Sequence, residues 1–205
     1  MFKRWYNYEP QKLLRESVMG VAERKNRDRE AREQRITAAA RQIAEAEGWS
    51  AVTVRRLADE IEYSQPVLYS HFRNRDAIIS AVALEGFREI KTVLHQAAHL
   101  STDSRRACES VATAYLDFAR ENPALYEAMF MMPTDLLFAE ADTRSELRKA
   151  FEVLAAVVPS SLDVDVATET FWAALHGLAQ LESSGRIKHS TRLARVALLV
   201  RGLFG

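Results

Sequence analysis

The sequence predicts an all-α protein, and three observations predict it. Of 205 residues only 7 are Gly and 5 are Pro, while Ala, Leu, Arg and Glu, all strong helix formers, are abundant. Apolar residues recur three and four apart along most of the chain, which is the spacing of one helix face. The main breakers, at Gly48, Asn122-Pro123, Pro133, Pro159 and Ser184-Gly185, fall between these runs rather than inside them. Hydrophobic residues make up 48% of the chain, enough for a sizeable core, and the length suits one globular unit or two that share helices.

Residues 1–28 read as an N-terminal extension. Phe2, Trp5, Tyr6 and Tyr8 cluster at its start, and a charged run over 23–35 follows. Such a segment is expected to be partly disordered. Two alternatives stand beside that: its Lys and Arg reach a DNA groove or backbone, as basic arms do, or Leu13, Leu14 and Val18 form a short helix on the body. From residue 29 a first regular helix is expected, with Ile36, Ala40, Ile43 and Ala44 on its buried face, Gly48 at its end and Trp49 under the following turn.

Residues 53–78, TVRRLADEIEYSQPVLYSHFRNRDAI, carry the most information. Thr53 can cap a short helix whose apolar stripe is Val54, Leu57, Ala58 and Ile61. Glu62-Tyr63-Ser64 interrupts the pattern. Ser64 can cap the next helix, with Gln65 and Pro66 in its first turn, where proline is tolerated. Val67, Leu68 and Phe72 can point inward, leaving Gln65, Tyr69, Ser70 and His71 outward. Two short helices joined by a tight turn form a helix-turn-helix, in which the second helix lies in the major groove of DNA. The outward residues suit that task. Gln pairs with adenine edges, Val touches a thymine methyl, and Tyr, Ser and His bind phosphate oxygens. An ordinary amphipathic helix pair with a solvated polar face uses the same residue types.

Beyond this segment, further helices are expected over 76–100, 103–121, 124–132, 143–158, 163–183 and 190–203. In the second of them Val111, Tyr115, Leu116 and Phe118 point inward. The run NPALYEAMFMMP, residues 122–133, gathers Leu125, Tyr126, Met129, Phe130, Met131 and Met132. Met and aromatic side chains adapt to irregular apolar shapes. The group is either plain core or the lining of a pocket for a small apolar molecule, with Tyr115, Tyr126 and His176 as polar contacts. Trp172 and His176 are four apart and share a helix face. Gly177, in mid-helix, costs about 1 kcal/mol against Ala, and close approach of another helix would offset it.

Several function classes are disfavoured. No apolar run approaches the roughly 18 residues that span a membrane, and the first residues lack the apolar run of a secretory signal. The single cysteine, Cys108, forbids an internal disulfide and reads as a buried inert thiol. Together these favour the cytoplasm. His95 and His99 have i,i+4 spacing but no third ligand nearby, so no metal is expected. No cofactor is expected either. There is no Gly-rich phosphate loop, no HExxH and no convincing catalytic constellation, so the chain is not expected to be an enzyme. The net charge is zero, yet residues 1–75 hold 15 basic and 11 acidic residues against 13 and 17 in 76–205. The basic part carries the candidate reader, and the acidic part would be held away from phosphate.

Residues 35–78 resemble the DNA-binding domain of the tetracycline-repressor-like (TetR) family of bacterial regulators. The resemblance rests on RITAAARQIAEAEGWSAVTVRRLADEI and on VLYSHFRNRDAI, where the family often shows a pattern like LYxHFxxKexL. Leu68, Tyr69, His71, Phe72, Asn74, Arg75 and Ile78 fit it. Two departures stand out: Glu62 where the family usually has a small residue, often Gly, and Arg75 in place of Lys. The body resembles a type in the same family with a Trp-x-x-x-His-Gly signature, matched by Trp172, His176 and Gly177, and with the Asn-Pro-x-Leu-Tyr run.

The resemblance implies that Thr53 and Arg55 hold phosphate, that Gln65, Pro66, Val67 and Ser70 approach bases, and that Tyr69, His71 and Arg75 hold the backbone, with Ser64 on the same surface. It implies a three-helix DNA-binding domain over 29–75 and a helical ligand-binding and dimerisation domain over 76–205. Helices 163–183 and 190–204 would pair with their copies. A cavity would be lined from Tyr115, Phe118, Leu125, Tyr126, Met129, Phe130, Phe171, Trp172 and His176. The expected function is a homodimeric repressor on a near-palindromic operator, released by a largely apolar small molecule. The alternatives are an activator, a ligand-independent DNA binder, or a helical dimer that binds small molecules and has lost specific DNA binding.

Overall fold

The computed structural model describes residues 10–134, 136, 143–159 and 161–205, with side chains from residue 20 onward. Among the described residues there are nine α-helices and no strand: α1 (Pro10–Glu47), α2 (Val54–Glu60), α3 (Gln65–His71), α4 (Arg75–Ala98), α5 (Ser104–Glu121), α6 (Pro123–Phe130), α7 (Ser145–Ala155), α8 (Val164–Ser183) and α9 (Arg192–Phe204). Single 3-10 turns, Trp49–Ala51 and His189–Thr191, precede α2 and α9.

Helices start at the expected Thr53, Asp103 and Asp163, whereas Asn74 is a cap that the apolar spacing did not mark and Ser64, expected to cap α3, makes no side-chain cap bond. Thr53, Asn74, Asp103 and Asp163 each accept a hydrogen bond from the backbone N–H three residues on, a cap worth about 1 kcal/mol. Asn122 ends α5 and Pro123 starts α6, so the chain turns there without a linker. Both the α2 and α8 ends close by a backbone N–H reaching back to the third carbonyl from the helix end: Tyr63 to Ala58 at 2.9 Å, and Arg186 to Leu181 at 2.9 Å. This closure needs a left-handed residue just past the helix. Gly185 supplies it after α8 and Glu62, with φ 57°, after α2.

The largest difference from expectation is α1, which begins at Pro10 as one helix of 38 residues instead of starting near residue 29. The charged run is made of good helix formers, and it is laced by Asn26–Glu30 and Arg29–Glu33 contacts one turn apart. No proline separates residue 10 from Gly48. The aromatic cluster Phe2, Trp5, Tyr6 and Tyr8 lies outside the described residues, as do the side chains of Leu13, Leu14 and Val18.

The core is continuous from reader to body. Ile36, Ala40, Ile43 and Ala44 are buried on α1, as the spacing predicts. Helix α4 packs on α1, α5, α6 and α7, meeting α1 through Thr37–Glu85 and Arg41–Glu89. Gly86 of α4 lets α6 approach closely: a Cβ there would sit 2.5 Å from Met129 Sδ and 3.0 Å from Leu125 Cδ1. Met131, grouped with these residues by sequence, is exposed instead. The C-terminal helices are tied by charge. Arg192, 4% exposed, bonds Glu182 of α8 and Asp117 of α5, and Arg195 adds a second guanidinium to Glu182. Burial opposes ionisation of Glu182, but the two guanidiniums outweigh it and hold its pKa below the usual carboxylate value.

Two outcomes follow for stability. Gly86→Ala should lower the urea unfolding free energy by about 1–2 kcal/mol, because overpacking outweighs the helix-propensity gain, and Met129→Ala should make the same change less costly. Glu62→Gly should raise stability by about 0.5–1 kcal/mol, the left-handed penalty less the entropy of the added glycine.

Candidate nucleic-acid interface and body cavity

Helix α3 is anchored by Leu68, which is fully buried, and by Phe72 just beyond its end. Its other face is open. Gln65, Pro66, Val67, Tyr69 and Ser70 are exposed, Tyr69 at 54%. Val67 therefore faces out with the candidate base-contacting residues rather than inward. The Ser70 hydroxyl donates to Val67 O at 2.7 Å and keeps its acceptor lone pairs outward. Ser64 occupies the cap position with extended backbone but makes no side-chain cap bond. Thr53 and Arg55 are exposed beside it on the α2 side.

Two residues expected on that surface are engaged internally. The His71 side chain is 7% exposed and lies 3.4 Å from Glu33 Oε1 of α1; it fills the gap between α3 and α1 rather than facing outward. Arg75 Nε donates to Val52 O at 2.7 Å and its Nη2 to Trp49 O at 2.5 Å. Its fork bridges the two carbonyls of the turn before α2, which a lysine's single ammonium cannot do with the same geometry. Arg75 thus braces the reader from behind.

Reader and body meet at α6. The Glu45 carboxylate of α1 accepts from the backbone N–H groups of Ala124 and Leu125 at 3.1 and 3.0 Å. Trp49 Nε1 donates to Ala124 O at 2.8 Å. Arg41 bonds Glu89 of α4 at 2.6 Å and Asn122 at 2.9 Å. A carboxylate at the start of a helix also meets the positive end of its dipole.

The body holds a partly open cavity of about 490 Å³. Five rings from five helices wall it: Phe87, Tyr115, Phe130, Phe151 and Trp172, on α4, α5, α6, α7 and α8. Aliphatic groups of α4 and α7, Ile90, Leu94, Leu147 and Leu154, complete the apolar lining. Among the described lining residues, charge appears with Arg148 and Glu169, both exposed. Of the residues expected to line a cavity, Tyr115, Phe130 and Trp172 do so. Leu125 and Met129 pack instead on Gly86. Phe171 meets Phe204 at 5.4 Å, and Phe118 lines a shallow external depression near Arg88. The α4 and α7 contributions were legible only as apolar stripes, which do not distinguish a cavity wall from ordinary core.

Tyr126 and His176 stand behind the wall in a hydrogen-bonded chain. Trp172 Nε1 donates to Tyr115 Oη at 3.1 Å, Tyr115 and Tyr126 hydroxyls are 2.8 Å apart, and Tyr126 Oη lies 2.7 Å from His176 Nδ1. Burial lowers the His176 pKa. Burial pushes the Tyr115 phenol up to about 12 and that of Tyr126 higher still. Elsewhere, the buried Cys108 thiol donates to Val157 O at 2.8 Å, and burial raises its pKa to about 11. His99 Nδ1 lies 2.7 Å from His95 O, and no group of three or more His, Cys, Asp or Glu is placed to hold a metal among the described residues. No described helix is long and apolar enough to cross a membrane.

Residues 36–82 match the family of bacterial regulatory proteins of the tetR type, and residues 108–202 match the tetracyclin repressor-like C-terminal domain. Among curated proteins, the chain is 30% identical over 142 residues to an uncharacterised HTH-type transcriptional regulator of Mycobacterium tuberculosis, covering 68% of this chain and 64% of that one. It is 34% identical over 102 residues to the HTH-type regulator YobS of Bacillus subtilis, covering 49% and 52%. The chain thus matches between about half and two thirds of these relatives' lengths. Among solved structures, a TetR-family transcriptional regulator from Pectobacterium atrosepticum superposes with a TM-score of 0.67 at 18% identity, over 86% of this chain and 96% of that one, a likeness of fold. The reader and body matches, in that order and over more than half of the chain, place this protein in the tetracycline-repressor-like (TetR) family of bacterial regulators.

Proposed function

We propose that this protein is a homodimeric transcriptional repressor that places α3 in the major groove of a near-palindromic operator and is released by a largely apolar small molecule. The observation that carries the DNA-reading part is the exposed face of α3, where Gln65, Pro66, Val67, Tyr69 and Ser70 project from a helix seated on Leu68. A glutamine amide for adenine, a valine for a thymine methyl and hydroxyls for phosphate suit one half-site. The sign of regulation, repression or activation, follows from where the operator lies relative to the promoter and is read in the same reporter assay.

Dimerisation is supported by apolar residues that α8 and α9 leave uncovered. Val166 and Leu181 share a face of α8 with Gly177, and Leu193 and Leu198 stand out from α9. Outside its chain neighbours and its own helix backbone, no atom of the described residues lies within 4 Å of a Cβ built on Gly177, which leaves room there for a helix of a second copy. Exposed apolar surface on two adjacent helices fits an interface between like subunits.

Release is supported by the cavity's position. Its α4 wall continues into the residues on which α1 packs, and Phe130 on its α6 wall lies on the helix whose first amides hold Glu45. A ligand that fits better when α4 and α6 have shifted would reset both reader supports. It acts only through its differential affinity for the two arrangements, and operator DNA would weaken ligand binding by the same factor.

Selection of bound sequences from a random DNA pool should enrich a near-palindrome with half-sites about 34 Å apart; recovery of unpatterned sequences would exclude a specific reader. Gln65→Ala should cost about 1–3 kcal/mol and relax the preference at one position of each half-site. Tyr69→Ala should weaken binding to all sequences alike, with unfolding unchanged because the side chain is exposed. Leu193→Glu combined with Leu198→Glu should give folded monomers by sedimentation at concentrations where the parent is dimeric.

A further inference from the structure

We propose that residues 20–35 of α1 form a second DNA-contacting surface, which grips the backbone phosphates beside the groove occupied by α3. The inference rests on the reading of α3 as the major-groove helix.

The argument begins with direction. At its C-terminal end α1 is fixed to the body by Glu45 and Arg41. Ten residues earlier it passes the reader: Arg35 donates to the Tyr63 hydroxyl just before α3, and Glu33 meets His71 at the end of α3. The two ends of α3 therefore lie across α1 at residues 33–35. The part of α1 N-terminal to that point projects away from the body and past the reader. Residues 20–32 are all exposed, and at 1.5 Å per residue they extend about 20 Å. Nothing in the described chain packs on this stretch.

Charge gives the second part. At about 100° per residue, Arg24, Lys25, Arg29, Arg32 and Arg35 fall within one arc of roughly 140°, with Asp28 among them. Glu23, Glu30 and Glu33 lie outside that arc. The arc overlaps the side that faces α3: Arg35 near one edge touches Tyr63, Ile36 near its other edge is buried, and Glu33, about 40° beyond that edge, meets His71. Beyond the edge of α3, the same side faces the duplex on which α3 lies. Arg24, Lys25 and Arg32 make no ion pair among the described residues, and Arg29 keeps 60% of its side chain exposed despite its contact with Glu33. Guanidinium and ammonium groups on a rigid, otherwise unsupported helix match a row of phosphates. Such contacts add affinity without reading sequence.

The test is the salt dependence of operator binding by the full chain carrying Arg24→Gln, Lys25→Gln, Arg29→Gln and Arg32→Gln. Gln is a good helix former, and circular dichroism checks that helix content is retained. A second variant, Arg105→Gln, Arg106→Gln, Arg144→Gln and Lys149→Gln, removes the same charge from the body. Each lost phosphate contact lowers the slope of log Kobs against log salt by about 0.9. The α1 variant should lose at least about 2 from the slope, weaken binding on every sequence alike, and leave the selected sequence unchanged; the body variant should keep the parental slope. A slope in the α1 variant equal to that of the body variant overturns the proposal while leaving the reader intact. If the parent protein enriches no sequence at all, the α3 reading and this proposal fall together.

Discussion

The carboxylate of Glu45 at the head of α6 is the interaction on which the two halves of the molecule depend. A helix of eight residues has orphan amides at its start and too little length to be stable alone. Those amides are satisfied by a residue of α1, and the adjoining carbonyl of Ala124 is taken by Trp49. The DNA-reading unit therefore completes the hydrogen bonding of a helix that belongs to the body. Neither part has a full set of partners without the other, and rotation of α1 against the body would strip buried donors of their acceptors.

The far end of the same short helix meets the cavity. Phe130 lines it, Tyr126 backs it, and Met129 lies in the notch of Gly86 that fixes α6 on α4. The polar groups nearest the apolar lining are already paired: Trp172 to Tyr115, Tyr115 to Tyr126, Tyr126 to His176. Among the described residues, the inner lining offers mainly rings and aliphatic groups. That arrangement favours burial of apolar surface over polar recognition, with Arg148 and Glu169 the charged groups of the lining.

The reader is held by a division of labour within one motif. Leu68 and His71 point inward, Arg75 clasps the carbonyls of the preceding turn, and Tyr69 with its neighbours is left outward. The turn itself tolerates Glu62 in the left-handed region because the Tyr63–Ala58 bond closes the end of α2 around it. Glycine would adopt that conformation at lower cost.

Much of this was legible in the sequence because it is local. Capping residues, prolines and apolar spacing act within a few residues of themselves, so Thr53, Asp103 and Asp163 mark real helix starts, Asn122-Pro123 marks a real turn, and the family pattern over 35–78 identifies the reader. The start of α1 was not legible: a charged run reads equally as a solvated tail or as a helix, and composition alone does not choose. What each inward residue meets was also beyond the sequence. Periodicity gives the face on which Phe151, Leu125 or Phe171 lies but not which helix comes opposite. Only tertiary packing decides that Phe151 walls a cavity while Leu125 and Phe171 fill core. The same holds for His71 and Arg75, whose side chains can reach either phosphate or protein. The proximity of Glu33, Trp49 and Val52, set by how α1 crosses α3 and α4, turned both of them inward.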